Sequence, residues 1–261
     1  MKFMSDNSKE IVITSAVRTP IGTFRGSLKD IKAKDLGALA VKEVIKKSNL
    51  DTKDIDELIM GQVLTSATGQ NPARQAAIKA GIPIDKTAYV INQVCGSGLR
   101  SVVAGYQAIK SNDAKIIVAG GQENMSNAPQ AIYFSKGKKL DNSDLIDTMI
   151  KDGLWDAFHG YHMGVTAENV AEKWQITRNE QDNFALLSQL KTEKAQKEEK
   201  FKEEIIPVMF DDKSKLKIDE HPRSGMTLDT LSKLKPSFKK DGTVTAGNAS
   251  GINDGAAAVV L

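Results

Sequence analysis

The chain has 261 residues, 40% of them hydrophobic and 26% charged, with a formal net charge of +3 from 36 basic and 33 acidic side chains. That composition belongs to a globular protein able to bury a sizeable core, as one large domain or two modest ones. The two signs of charge are mixed along the chain, so no basic stripe follows a nucleic-acid backbone and no nucleic-acid partner is expected.

Residues 1–10 are polar, without the apolar centre of a secretory signal or the Arg-rich pattern of a transit peptide, and read as a short loose lead-in. A strand is expected over residues 11–17 (Ile-Val-Ile-Thr-Ser-Ala-Val), followed by a helix from Lys34 to Ser48. The same rhythm continues with a strand near 58–60, a helix over 72–80, a strand over 88–94, a helix over 98–111 and a strand over 115–119. Short β-branched apolar runs alternating with amphipathic stretches are the pattern of an α/β fold, and strands this apolar suit a sheet covered on both faces. After Met125 the texture changes to a longer polar excursion, with Asn127-Ala128-Pro129, a Lys136-Gly137-Lys138-Lys139 cluster and small and aromatic residues near Trp155. This reads as an inserted cap or loop domain. Thr177 with Glu180 forms a capping-box pattern that opens a helix running to about Lys200, with Glu193/Lys197 and Glu198/Lys202 at i,i+4 spacing along a solvated face.

No apolar run approaches the roughly 20 residues needed to cross a bilayer, so no membrane partner is expected. The sequence holds a single cysteine, which cannot form an internal disulfide and suits a reducing, cytoplasmic setting. The chain closes on Ala256-Ala257-Ala258-Val259-Val260-Leu261, a buried strand or the start of a core helix. An unprotected apolar end is unusual for an independent domain, so a longer parent protein is expected.

That one cysteine, Cys95, lies in Asn92-Gln93-Val94-Cys95-Gly96-Ser97-Gly98-Leu99-Arg100, where an apolar strand runs through small residues into a helix. A thiol at a helix N-terminus has its thiolate favoured by the helix dipole and unpaired N–H groups, the condition for a nucleophile. Gly96 and Gly98 are expected to permit a tight turn and to leave room for an acyl group beside the backbone. The strand-turn-helix logic is that of the nucleophile elbow of serine hydrolases. Gly96-x-Gly98 is not a dinucleotide fingerprint, because Ser101 stands where the third glycine belongs.

His159 and His162 occur together in His159-Gly160-Tyr161-His162-Met163-Gly164. A metal site would need three or four ligands, so none is expected, and either histidine could orient a substrate carbonyl or bond within its own loop. His221, before Pro222, is expected to face solvent. The segment from Thr245 to Gly255 is too rich in glycine for a helix interior and implies close backbone approach, either to a slender ligand or within a tight connection.

Asn92 to Arg100, His159 to Gly164 and Ala246 to Gly255, with Ile13 to Gly22 and Gly120 to Ser126, together closely resemble the thiolases, and the likeness runs from Ile11 onward. The resemblance implies a thiolase-like layered α/β core, the first half of a duplicated αβαβα fold. On it, residues 10–126 would form the core half, completed by 246–261, and residues 127–245 the loop or cap domain. A C-terminal half would follow in a complete thiolase, with a Gly-His-Pro histidine, an Asn-Glu-Ala-Phe asparagine and a second cysteine in Cys-x-Gly. None of those motifs occurs in this sequence.

The His-Gly-Tyr-His-Met-Gly form of the loop resembles the short-chain branch of the family. The resemblance then implies acetyl transfer through a thioester on Cys95 and a reversible Claisen condensation of two acetyl-CoA to acetoacetyl-CoA and CoA. It implies no resident cofactor, coenzyme A thioesters being substrates, and self-association as a dimer or tetramer. By the same resemblance His162 lines the pantetheine path, with Leu154 and Met163 beside it. Arg223 lies by the adenine end of CoA, and Phe238, Ala246 and Ser250 along the CoA path. One cysteine cannot be both acyl carrier and the acid/base for the second substrate, so this chain alone is expected to be inactive in the full cycle. Competing readings are a thiolase for longer 3-ketoacyl-CoA, a cysteine hydrolase with a histidine beside Cys95, and a non-catalytic CoA-binding or subunit module.

Overall fold

A computed structural model describes residues 10–133, 141 and 145–261; the Lys136–Lys139 cluster and most of the expected lead-in lie outside them. In chain order the elements are β1 (Ser15–Arg18), β2 (Gly22–Thr23), α1 (Ala33–Lys47), β3 (Glu57–Gly61), α2 (Pro72–Ala80), β4 (Thr87–Ile91), α3 (Ser97–Lys110) and β5 (Ile117–Asn124). They continue with β6 (Gln130–Ala131), β7 (Ile146–Asp147), a π-helical turn (Met149–Leu154), α4 (Met163–Lys173), α5 (Arg178–Lys197), β8 (Val208–Met209), β9 (Lys215–Leu216), α6 (Leu228–Ser232) and β10 (Asn253–Val260). The chain divides into two compact units. Among the described residues, the first comprises those up to Thr19, Ala33–Glu123 and Gly255–Leu261, and the second those within Pro20–Lys32 and Asn124–Asp254.

The first unit is built on a mixed sheet in the order β1-β10-β5-β3-β4. β3 runs parallel to both neighbours, with Leu58 opposite Val118 and Ala88. β10 is antiparallel to β1, with Ser15 opposite Val260, and Ile117 and Leu261 exchange both backbone hydrogen bonds at 3.1 and 2.9 Å. The alternative left open for the last residues, strand or core helix, is thus settled as a strand. Leu58, Ile59 and Met60 are all fully buried; consecutive side chains of a strand point to opposite faces, so both faces of β3 are covered. β4 departs from that expectation, because it is the edge strand and leaves Thr87 and Tyr89 exposed.

α2 shows why its bounds follow from sequence. Asn71 caps it by accepting from the Arg74 N–H, Pro72 opens the first turn, and Gly81 closes it in the left-handed region at φ 91°, the Asn/Pro start and Gly stop that helix ends favour. α1 packs on α2, turning Leu36, Val41, Val44 and Ile45 inward. Two expected strands shift. The first begins at Ser15 rather than residue 11, leaving Val12 and Ile13 exposed. The strand expected over 115–119 instead runs to Asn124, with Gln122 and Asn124 buried.

In the second unit, α4 and α5 are tied to the chain that follows them. Glu168 of α4 is 5% exposed and accepts from the N–H groups of Thr243 at 2.9 Å and Val244 at 2.8 Å and from the Thr243 hydroxyl at 3.0 Å. Asp182 of α5, also buried, takes Arg178 Nε at 2.7 Å and Asn248 Nδ2 at 2.9 Å. The capping box at Thr177 and Glu180 forms as the sequence implies. Of the two expected ion pairs, Lys197 meets Glu193 at 2.8 Å. Lys202 instead pairs with Glu199, because α5 ends at Lys197 and Glu199 turns left-handed at φ 52°.

Residues 20–32 belong to this unit through distant partners. Ile21 N–H donates to Asp219 at 2.8 Å and Thr23 N–H to Glu220 at 3.1 Å, while Asn124 Nδ2 donates to the carbonyls of Leu28 at 2.8 Å and Ile31 at 2.6 Å. β2 pairs with the first residues of β10, Asn253 opposite Thr23.

Candidate active site

Cys95 follows β4 and precedes the N-cap of α3, Gly96. It is a free, exposed thiol. The strand stops at Ile91 because the next residues form a closed turn: Val94 N–H donates to Asn92 Oδ1 at 3.0 Å, and Gly96 N–H donates to the Gln93 carbonyl at 3.0 Å. The glycines do not supply the unusual backbone. Gly96 has φ −85°, and the left-handed residue is Val94, at φ 49°. A β-branched residue there carries strain of about 1–3 kcal/mol, a feature that clusters at functional sites. The room expected at Gly98 is present, since a Cβ there would meet nothing within 4 Å.

Beneath the turn the backbone is crowded. A Cβ on Gly61, at the end of β3, would lie 2.4 Å from the Ser97 carbonyl carbon, and one on Gly120 in β5 would lie 2.1 Å from the Ala257 oxygen. Ser101 of α3 donates its hydroxyl toward the carbonyls of Gly98 and Gly120, each at 2.7 Å. β3, β5 and the start of α3 are thereby drawn together, and Cys95 rides on that junction. Gly61 and Gly120 were not among the candidate residues, although a glycine closing an apolar strand signals close approach. Ser97 and Val94 carry no such signal.

The second unit holds the other candidates. His162 is the N-cap of α4, where its Nδ1 accepts from the Gly164 N–H at 3.0 Å. A nitrogen that accepts carries no proton, so the neutral ring holds its hydrogen on Nε2. Its face stacks on Phe238, with centroids 4.9 Å apart and planes 19° apart. Met163 follows at the start of α4, partly exposed. Leu154 ends the π-helical turn, and its neighbour Trp155 bridges to His162. His159 bonds within its own loop, its Nδ1 lying 3.1 Å from Asp156 Oδ2.

Ser250 lines a shallow groove of about 330 Å³ with Phe184, Gln189, His221 and Gly251. His221, expected to face solvent, is half-buried in this groove, its ring packed against Gly251, where a Cβ would lie 2.2 Å from Cε1. Arg223, exposed, donates its backbone N–H to Gln189 Oε1 at 2.9 Å, which sets it at the groove's edge. Ala246 is exposed in the small-residue segment, whose Gly247 leaves room for Leu231 and Leu234: a Cβ there would lie 2.5 Å from each. Most candidates of this unit thus lie at two centres, the His162–Phe238 stack and the Ser250 groove, and Ala246 stands outside the groove's lining. Among the described residues no group of three or more His, Cys, Asp or Glu is placed to hold a metal ion, and no helix is long and apolar enough to cross a membrane.

A strained turn presenting an exposed cysteine to a helix start, on an α/β core, is an arrangement suited to a nucleophilic thiol. The family profile described as "Thiolase, N-terminal domain" matches residues 11–261, and the chain belongs to the thiolase family. It is 55% identical to the acetyl-CoA acetyltransferase of Paracoccus denitrificans over 96% of this chain and 65% of that protein. It is also 55% identical to that of Rhizobium meliloti, over 98% of this chain and 66% of the relative. The crystal structure of the Bacillus anthracis acetyl-CoA acetyltransferase superposes with a TM-score of 0.91 at 39% identity, over 96% of this chain and 64% of that one. The chain therefore spans just under two thirds of the length of these relatives.

Proposed function

We propose that this chain carries the acyl-accepting half of an acetyl-CoA C-acetyltransferase, with Cys95 as nucleophile. The observation that supports this most directly is the placement of Cys95, exposed beside the open space at Gly98 and one residue before the cap of α3. In the first step the Cys95 sulfur attacks the acetyl-CoA carbonyl, a C–S bond forms, and the CoA thiolate leaves and takes up a proton. In the second, the α-carbon of another acetyl-CoA, having lost a proton to a base, attacks the thioester, forms the new C–C bond and returns Cys95 as thiolate. A cysteine bearing an acyl group cannot also remove that proton, so the base is a second group.

His162, with Nε2 free to donate, would bond the thioester end of the substrate, with Leu154, Met163 and Phe238 flanking the pantetheine arm. Ser250 and Ala246 would contact CoA further along, and Arg223 would face its nucleotide end. This assignment needs no resident cofactor. A cytoplasmic setting and a homo-oligomer, dimer or tetramer, complete the reading; the lone unpaired thiol supports the first.

Incubation with acetyl-CoA, followed by intact-mass spectrometry and peptide mapping, tests the assignment. Acetyl on Cys95 is the expected result. Acetyl on another residue alone, or transfer undiminished in Cys95→Ser, overturns it.

A further inference from the structure

The turn before Cys95 holds its only left-handed residue at a valine, and one buried side chain is committed to it. Ser97, the first residue of α3, is 4% exposed. Its hydroxyl donates to the Val94 carbonyl at 2.6 Å and accepts from the Gln93 N–H at 2.9 Å. The Ser97 N–H donates to the same Val94 carbonyl at 3.0 Å. Both bonding directions of the hydroxyl are thus spent on the residues preceding Cys95. Gly96, the cap position, contributes no side-chain bond to the helix. Val94 itself is 48% exposed, so no packed pocket holds it at φ 49°, a region a β-branched side chain avoids. What opposes its relaxation is the hydrogen-bonded ring of Gln93, Val94 and Ser97, assisted by Asn92 Oδ1 on the Val94 N–H.

We propose that Ser97 is a positioning residue for the nucleophile: its hydroxyl pins Val94 left-handed and so fixes Cys95 at the start of α3. This rests on Cys95 being the acyl acceptor. Without the hydroxyl, Val94 relaxes toward φ < 0, the Cα–Cβ direction of Cys95 rotates, and the thiol loses its fixed place at the positive end of the helix. Gln93 is exposed, so water can take over its N–H and the cost to folding is small beside the cost to reactivity.

Cys95 is the only cysteine in the sequence, so alkylation of the folded protein by iodoacetamide reads that thiol alone, without CoA. Ser97→Ala is expected to slow labelling roughly tenfold at neutral pH, as the thiol leaves the helix terminus, while circular dichroism and the melting temperature stay near wild type. Val94→Asn in the Ser97→Ala background is expected to restore most of the rate, because asparagine adopts the left-handed region without help. Labelling of Ser97→Ala at the wild-type rate overturns the proposal, and so does a slow rate that Val94→Asn leaves unrepaired. Should Ser97→Ala fail to fold, Asn92→Ala, at an exposed position on the same turn, is expected to slow labelling in the same direction, and an unchanged rate there counts against the proposal. Failure of acetyl transfer in the wild type, with this labelling pattern intact, would remove the assigned activity and not the role of Ser97 in the turn.

Discussion

The ring of Phe238 fills the space that a side chain at position 164 would need: a Cβ on Gly164 would lie 2.2 Å from its Cγ and 2.3 Å from both Cδ atoms. The ring cannot simply swing away, because its other neighbour is the stacked imidazole of His162. Gly164→Ala is therefore expected to destabilise the protein by about 1–3 kcal/mol through overpacking, and to displace His162 with it. Chemical denaturation measures the first effect; a wild-type stability would mean that the stack is loose.

His162 serves two purposes that substitution can separate. His162→Ala removes both the cap bond to Gly164 and the stacking surface, at about 0.5–2 kcal/mol for the cap and about 0.5–1.5 kcal/mol for the ring pair. His162→Asn keeps a capping oxygen and is expected to recover the first part of that loss. If the ring also handles the substrate, both variants lose acyl transfer alike. Denaturation and transfer rates measured side by side decide this, and activity that tracks stability would reduce His162 to a cap.

Glu168 makes stability depend on acid. Burial pushes its carboxyl up from the ordinary value of 4.5, but the N–H groups of Thr243 and Val244, the Thr243 hydroxyl and the charge of Lys239 outweigh burial and hold it lower. A carboxyl whose folded value lies below its unfolded value contributes fully above the unfolded value, and that contribution is lost as pH falls through the folded one. Glu168→Gln is expected to cost about 2–3 kcal/mol at neutral pH, since a charged acceptor of several bonds is removed. The gap between variant and wild type should close below pH 4.5. A gap independent of pH would show that the charge is immaterial.

Gly61→Ala should act on Cys95 from beneath. Its Cβ would meet backbone atoms of Ser97 and Gly98 at 2.4–2.7 Å, which cannot rotate aside as a side-chain tip can. Labelling of Cys95 is expected to slow and stability to fall by about 1–3 kcal/mol or more. Unchanged labelling in a folded variant would mean that the turn adjusts independently of β3.

What the sequence made legible was whatever neighbouring residues encode. α2 is marked by Asn71, Pro72 and Gly81 at its ends, and the capping box of α5 by Thr177 and Glu180. Cys95 stood out because small residues follow it at a strand-to-helix junction. What stayed hidden depends on partners far along the chain or on strain. Nothing in Val94 announces a left-handed conformation, and the glycines beside it were the natural candidates. Residues 20–32 join the second unit through distant partners, with Asp219, Glu220 and Asn124 collecting their backbone groups and β2 pairing with the start of β10. His221 looked solvent-facing because its neighbour Gly251 lies thirty positions on, beyond any local pattern.

The place of β10 bears on how the chain is made. It lies between β1 and β5, so the first unit's sheet has a missing middle until residues 255–261 leave the ribosome. Until then β1 and β5 each expose an unpaired edge, the template on which strands of other molecules can pair. The nucleophile-bearing unit therefore stays unfinished until those residues have been made, and a holdase covering those edges would matter most during that interval.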